Sequence, residues 1–254
     1  MKKALKTLAS AILLACSCSG TTSQSIDPEH TLWYDEPASI WEETLPLGNG
    51  RLGMMPDGGI IDETVVLNEI SLWSGSEADY SNPQAAESLP QIRELLQQGR
   101  NAEAQELMYS SFVPKKPSDG GTYGGYQTLG DLKISYPLSD DVTEYRRGLD
   151  LKTATAWTEF TQDGVQYYRK YHVSRNKDIM IIEIGASEKG KINFDIELSR
   201  KERAAISVTE DGLIEMTGAL DSGTESDGMK YSAYAGLLAE GNEAEKSATG
   251  IRNA

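Results

Sequence analysis

The chain is poor in cysteine: of its 254 residues only Cys16 and Cys18 carry a thiol, and both fall within the first twenty positions. The rest of the sequence therefore has no disulfide framework, no zinc-thiolate site and no thiolate nucleophile. Histidine is equally scarce. His30 and His172 have no partner at metal-ligand spacing, and His172 alternates with Tyr171 and Val173 as a packed or surface strand residue does. No metal and no cofactor is implied. Basic residues are the minority, 24 against 39 acids, for a net charge of −15. Phosphate backbones and anionic lipid heads repel such a chain, which argues against nucleic acid as a partner and leaves neutral substrates and cationic partners open. No apolar run is long enough to cross a bilayer as a permanent helix. A Gly-x-Ser-x-Gly nucleophile elbow is also missing. What remains is ordinary globular material, 39% hydrophobic and 25% charged with 24 Gly and 9 Pro, which excludes collagen, coiled coil and wholesale disorder. The length suffices for one good-sized core.

The N-terminus reads as a secretory leader over 1–20. Lys2, Lys3 and Lys6 precede an apolar stretch, 8–15, broken only by Ser10. Leu13-Leu14-Ala15-Cys16 resembles a bacterial lipobox, which makes Cys16 the candidate lipidation site; cleavage after Ala15 or a later small residue is the alternative. Residues 21–30 read as a polar tether. The expected location is outside the cytoplasm, in the periplasm or anchored to the outer membrane of a Gram-negative bacterium, with membrane contact only through the lipid.

Strand signals dominate the body. Ile192, Phe194, Ile196 and Leu198 alternate with polar residues, as do Leu132, Ile134 and Tyr136, the period of a half-buried strand. Segments 154–160 and 165–173 flank Asp163-Gly164, and Asp211-Gly212 separates 206–208 from 213–216; both dipeptides are hairpin signals. The run 178–184 suits a strand covered on both faces, and 230–238 reads as one more. The spacing predicts a mainly β fold, an antiparallel β-sandwich with a short helical insertion around 83–108. In that insertion Leu89, Ile92, Leu95 and Leu96 recur at helical spacing, Pro90 marks a restart and Gly99 a stop, with a second short helix over 102–108. No repeat and no long linker interrupts the chain, so one domain is expected over 31–238, followed by a polar tail over 239–254.

Several chemical motifs read better as structure. Gly48-Asn49-Gly50-Arg51-Leu52-Gly53 spells a dinucleotide fingerprint, but Pro46, Pro56 and Gly58-Gly59 leave no helix to hold a pyrophosphate, and a tight glycine loop is the better account. Glycoside hydrolysis needs two carboxyls flanking a bond. With 39 acids, neighbours such as Asp62-Glu63 and Asp140-Asp141 arise by chance. Trp33, Tyr34, Trp41, Tyr123, Tyr126 and Trp157 are better placed as sandwich core than as sugar-stacking faces. Trp73, at a strand-to-loop transition in Leu72-Trp73-Ser74-Gly75, is the exception.

Four blocks, in order, nevertheless carry a family pattern: Trp41-Glu42-Glu43-Thr44-Leu45-Pro46-Leu47-Gly48-Asn49-Gly50-Arg51-Leu52-Gly53; Leu67-Asn68-Glu69 with Leu72-Trp73-Ser74-Gly75 and Asn82-Pro83; Tyr126-Gln127-Thr128-Leu129-Gly130-Asp131-Leu132; and Tyr145-Arg146-Arg147-Gly148-Leu149-Asp150-Leu151. They resemble glycoside hydrolase family 95, over residues 31–238. The family consists mostly of α-L-fucosidases, with some enzymes acting on α-L-galactosides, built from an N-terminal β-sandwich of super-sandwich type, an (α/α)6 barrel and a C-terminal β domain.

The resemblance covers the sandwich only. Family members carry the general acid and the water-activating residues in the helical barrel, so no catalytic residue is assigned here. What it implies is the N-terminal domain of a secreted, inverting α-L-fucosidase acting on fucosylated glycans, in a chain truncated before its barrel and inactive alone. A stand-alone carbohydrate-binding lipoprotein and one half of a split enzyme are the alternatives. The Gly48–Gly53 loop and the Asn68–Gly75 segment would then face the barrel, with Asn49, Arg51, Asn68, Glu69 and Trp73 as barrel-contact or pocket-rim residues. In the plainer structural reading, Asn49 supplies turn geometry and Arg51 a buried ion pair.

Overall fold

The computed structural model describes residues 8–17, 26–76, 81–112, 124–225, 227–238 and 245–252. The leader lysines Lys2, Lys3 and Lys6, Cys18, the first half of the expected tether (21–25) and Tyr123 lie outside them.

The predicted mainly β, sandwich-like architecture is what the chain adopts. Nine strands form one sheet: β1 (Leu8–Ser17), β2 (Thr31–Tyr34), β7 (Thr143–Asp150), β8 (Thr155–Gln162), β9 (Val165–Val173), β10 (Ile179–Ala186), β12 (Ala204–Val208), β13 (Ile214–Asp221) and β14 (Asp227–Leu238). Their order is β12-β13-β14-β1-β10-β9-β8-β7-β2. Seven strands form the other: β3 (Leu47–Gly48), β4 (Leu52–Pro56), β5 (Asp62–Glu69), β6 (Gly130–Ser135), β11 (Asp195–Ser199), β15 (Glu245–Lys246) and β16 (Gly250–Arg252), in the order β15-β16-β11-β6-β5-β4-β3.

The alternation read from the sequence is what fills the space between the sheets. On β5 the side chains of Glu63, Val65, Leu67 and Glu69 all point inward and are buried, while Thr64, Val66 and Asn68 lie on the other face. Val65, Leu67, Leu132 and Ile134 of one sheet share a core with Tyr171, Met180, Ile182 and Ala233 of the other. Removing that much apolar surface from water at about 25 cal/mol per Å² is what drives the sheets together. The β8–β9 hairpin turns at Asp163 (φ 52°) and Gly164 (φ 80°), both left-handed, as a two-residue turn matched to strand twist requires. The second hairpin also forms, with Gly212 at φ 84°.

Four features differ from the sequence reading. First, Leu8–Ser17, within the expected leader, is a strand, paired parallel to β10 on one side and to β14 on the other, with Ile12 and Leu14 in the core. Second, Pro90 breaks nothing. It sits inside α1 (Ala85–Gln97), where the Ala86 carbonyl loses its usual amide donor but lies on an exposed residue that water reaches. Third, the helices form a compact unit of their own, spanning 74–125 together with 221–229, so the body is not one unit. Within it α1 and α2 (Asn101–Ser111) pack Ile92, Leu95 and Ala104 together, and Gly99 (φ 73°) ends α1 as predicted. Fourth, the polar tail is not wholly a tail. Ile251 of β16 pairs with Ile196 and joins the core, a single aliphatic residue being too thin a signal to read from sequence. Among the described residues, no helix is long and apolar enough to cross a membrane.

Candidate functional site

Pairing of β4 with β5 sets Leu52 opposite Glu69 and Gly53 opposite Asn68, which draws two of the motif blocks to one end of the sandwich. The loop leading into β4 is shaped by Asn49. Its Oδ1 accepts the backbone amides of Arg51 (2.9 Å) and Leu52 (2.8 Å), and its Nδ2 donates to the Ser174 carbonyl (2.9 Å) on the β9–β10 connection. Gly50 takes the left-handed conformation, φ 91°, that lets the chain turn back. The turn-geometry role foreseen for Asn49 is thus visible, together with a tie across to the other sheet.

Arg51 bridges two carboxylates. Its Nε donates to Glu69 Oε1 at 3.1 Å and its Nη1 to Asp178 Oδ2 at 2.6 Å. Glu69 is almost fully covered, whereas Arg51 and Asp178 are each nearly half exposed, so this is a half-open ion pair rather than the buried one foreseen. The second oxygen of Glu69 accepts the amide (2.8 Å) and hydroxyl (2.6 Å) of Ser71. A carboxylate whose two oxygens are taken up by three donors, one of them a guanidinium, is fixed in orientation and suits a positioning role.

On the opposite face of β5, Asn68 Oδ1 accepts a hydrogen bond from the Tyr126 hydroxyl. Tyr126 pairs as an isolated bridge with Trp73, their rings meeting edge to face at 5.6 Å between centroids. The Trp73 indole N–H donates to the Ile70 carbonyl at 3.1 Å. Ile70, Trp73 and Tyr126 are 56%, 50% and 43% exposed, a cluster of apolar surface beside a charged bridge. Each of the five contact residues singled out from the sequence therefore falls in one of two chains of contacts, Asn49–Arg51–Glu69 or Asn68–Tyr126–Trp73, which meet at adjacent positions on β5, whereas Cys16 lies apart from them on β1 opposite Ile184.

Sequence reasoning missed Asp178 and Ile70, which stand in no motif block. It assigned Tyr126 to the core, although the block it heads was in plain view. It also passed over Glu63 as a chance neighbour of Asp62. Glu63 lies at the other end of β5, wholly buried, with Arg169 Nη1 at 3.1 Å, the Tyr136 hydroxyl at 3.4 Å and a hydrogen bond from Tyr171. Arg169 also donates to the carbonyls of Gly59 and Ile60 and stacks 3.8 Å over the Tyr136 ring. Burial pushes the carboxyls of Glu63 and Asp57 above their ordinary range, against the pull of Arg169. Burial works against the charge on Arg169, but its buried neighbours, Glu63 among them, outweigh this and hold its proton more firmly still. Beside this network is a cavity of about 160 Å³ lined by Tyr136, Leu138, Phe160, Tyr168, Arg169 and Asn193. Its guanidinium is already committed to Glu63 and two carbonyls, and Lys191 is the other cation on its lining.

A two-sheet sandwich with three of its four motif blocks meeting around one end of β5 defines the class. The chain belongs to the family described as "Glycosyl hydrolase family 65, N-terminal domain", which it matches over residues 32–252. Its relatives narrow this. It is 34% identical over 174 residues to "Alpha-L-fucosidase 2" of Arabidopsis thaliana, covering 66% of this chain and 20% of that protein. It is 32% identical over 178 residues to "Probable alpha-fucosidase A" of Aspergillus niger, covering 66% of this chain and 21% of that one. A third, "Probable alpha-fucosidase A" of Aspergillus oryzae, is 26% identical over 85% of this chain and 28% of its own length. The chain is thus an N-terminal domain of an α-L-fucosidase-like glycoside hydrolase, and it spans between 20% and 28% of the length of the curated relatives it matches.

Proposed function

We propose that this chain is the sandwich domain of an exported, inverting α-L-fucosidase that removes terminal α-L-fucosyl residues from glycans, with the Arg51–Trp73 end contacting the helical barrel that holds the acid and base. The observation that carries this is the pairing of fucosidase relatives with an exposed Ile70, Trp73 and Tyr126 cluster beside the Arg51 bridge. An inverting glycosidase needs one carboxylic acid to protonate the leaving oxygen and a carboxylate, across a gap wide enough for water, to activate that water. At this end of the domain Glu69 and Asp178 are both spent on the same guanidinium, which supports a positioning role and a catalytic pair lying elsewhere. The basic-then-apolar leader supports export, and Cys16 supports anchoring through a lipid.

The test is turnover of a chromogenic α-L-fucoside. The chain alone is expected to be inactive, and activity is expected when an α-L-fucosidase barrel is supplied on the same or a second polypeptide. Turnover by the chain alone that disappears in Glu69→Gln would overturn the reading.

A further inference from the structure

The apolar run that reads as a secretory leader is also an interior strand of the larger sheet, the fourth of nine. From Ala11 opposite Ile179 to Ser17 opposite Gly185, β1 pairs with β10, and from Leu8 opposite Tyr231 to Ala15 opposite Leu238 it pairs with β14. Both ladders are parallel, whereas β2–β7, β7–β8, β8–β9, β9–β10 and β12–β13 are all antiparallel. Cleavage at Ala15 or beyond removes this strand. Two edges then open in the centre of the sheet, each with a row of unpaired backbone amides and carbonyls, and the core loses Ile12 and Leu14, which are 3% and 0% exposed.

We propose that in the exported protein the slot between β10 and β14 receives an apolar β-strand supplied from outside residues 26–252, for which the leader strand is a stand-in. The lining defines the chemistry of the occupant. The core-facing side chains on either side are Met180, Ile182 and Ile184 of β10 and Tyr231, Ala233 and Ala235 of β14, all nearly or fully buried and none charged. Such a slot takes an uncharged strand of about eight residues with large aliphatic side chains at alternate positions, and the main-chain ladders on both sides supply affinity. Ile12 opposite Met180 and Ala235, and Leu14 opposite Ile182 and Leu237, mark two of those positions. The inference rests on the export reading of the leader and not on fucosidase activity; the intact mass of the exported chain reads the leader separately.

The experiment compares backbone hydrogen exchange in chains 1–254 and 26–254. In the shorter chain the amides of β10 and β14 are expected to exchange about 100-fold faster, while those of the β8–β9 hairpin stay protected. A peptide of the Leu8–Ser17 sequence, with Cys16→Ser and lysines added at both ends, restores protection; the same peptide with Ile12→Asp and Leu14→Asp does not. Equal protection in the two chains without peptide overturns the proposal, as does restoration by self-association seen on sizing, or a folded shorter chain that ignores the apolar peptide. Should chain 26–254 fail to fold, the strand sequence is joined behind Ala254 through a flexible linker. Recovery of folding with protected β10 and β14 upholds the proposal, and failure to recover overturns it.

Discussion

Strand β5 carries a glutamate at each end of its core face, and each meets an arginine, yet the two pairs differ in nearly every respect that decides what a charge pair does. Glu63 and Arg169 have side chains 0% and 2% exposed, while Glu69 shares an arginine that is 41% exposed. At the closed end, each polar atom must find a protein partner, and carbonyls, tyrosines and a ring face supply them. At the open end, Arg51 divides itself between Glu69 and Asp178 and still meets water. The closed pair holds the two sheets together. The open pair holds a loop in shape and presents it, with the Trp73 and Tyr126 rings, to whatever docks there.

The comparison can be broken most directly at Arg169. Arg169→Ala leaves a buried carboxylate without its counter-charge and is expected to cost about 3–5 kcal/mol in urea unfolding, whereas Glu63→Leu with Arg169→Met recovers most of that loss. A cost below about 1 kcal/mol would mean the closed pair is no more than a surface pair. At the other end Glu69→Ala is expected to cost about 1–3 kcal/mol, because water replaces it for Arg51 but less readily for the part-buried Ser71.

Acidity sharpens the contrast. Burial raises the Glu63 carboxyl above its ordinary 4.5, so the folded chain holds that proton more tightly than the unfolded one. Its contribution is fully present below pH 4.5 and is lost as pH rises through the folded value. Unfolding midpoints measured against pH should show this decline, and Glu63→Gln should flatten it. The smallest effect on stability belongs to Trp73→Ala, about 0.5 kcal/mol for so exposed a side chain. The same change should lower turnover when a fucosidase barrel is supplied; unchanged turnover would remove Trp73 from the docking face.

Much of the fold was legible because period-2 patterning and left-handed turn dipeptides are local. The Asp163-Gly164 hairpin, the strand around Leu132 and Ile134 and the stop at Gly99 all depend on neighbours in the chain. What stayed hidden depends on distance. Glu63 looked like a surface acid because its arginine lies 106 residues further on. Asp178 gave no sign because its partner Arg51 lies 127 residues away. Ile251 was lost in a polar stretch, and nothing in an apolar leader announces that it can complete a sheet. The five site residues were found through motif order; the contacts that join them, above all Tyr126 to Asn68 and Trp73, required the fold.

The run β7, β8, β9, β10 has a kinetic consequence. These strands follow one another in sequence and lie side by side in the sheet, joined by the short turns 151–154, 163–164 and 174–178. Each closes a short loop, so they can assemble early, while β5 must wait for β6 across the sixty positions 70–129. Pulse-labelled exchange during refolding should find amides of the β8–β9 hairpin protected before those of β6, whose partners β5 and β11 are both distant in sequence. The first surface to consolidate is then the meander that carries Arg169, so its guanidinium is in place before Glu63 arrives to meet it.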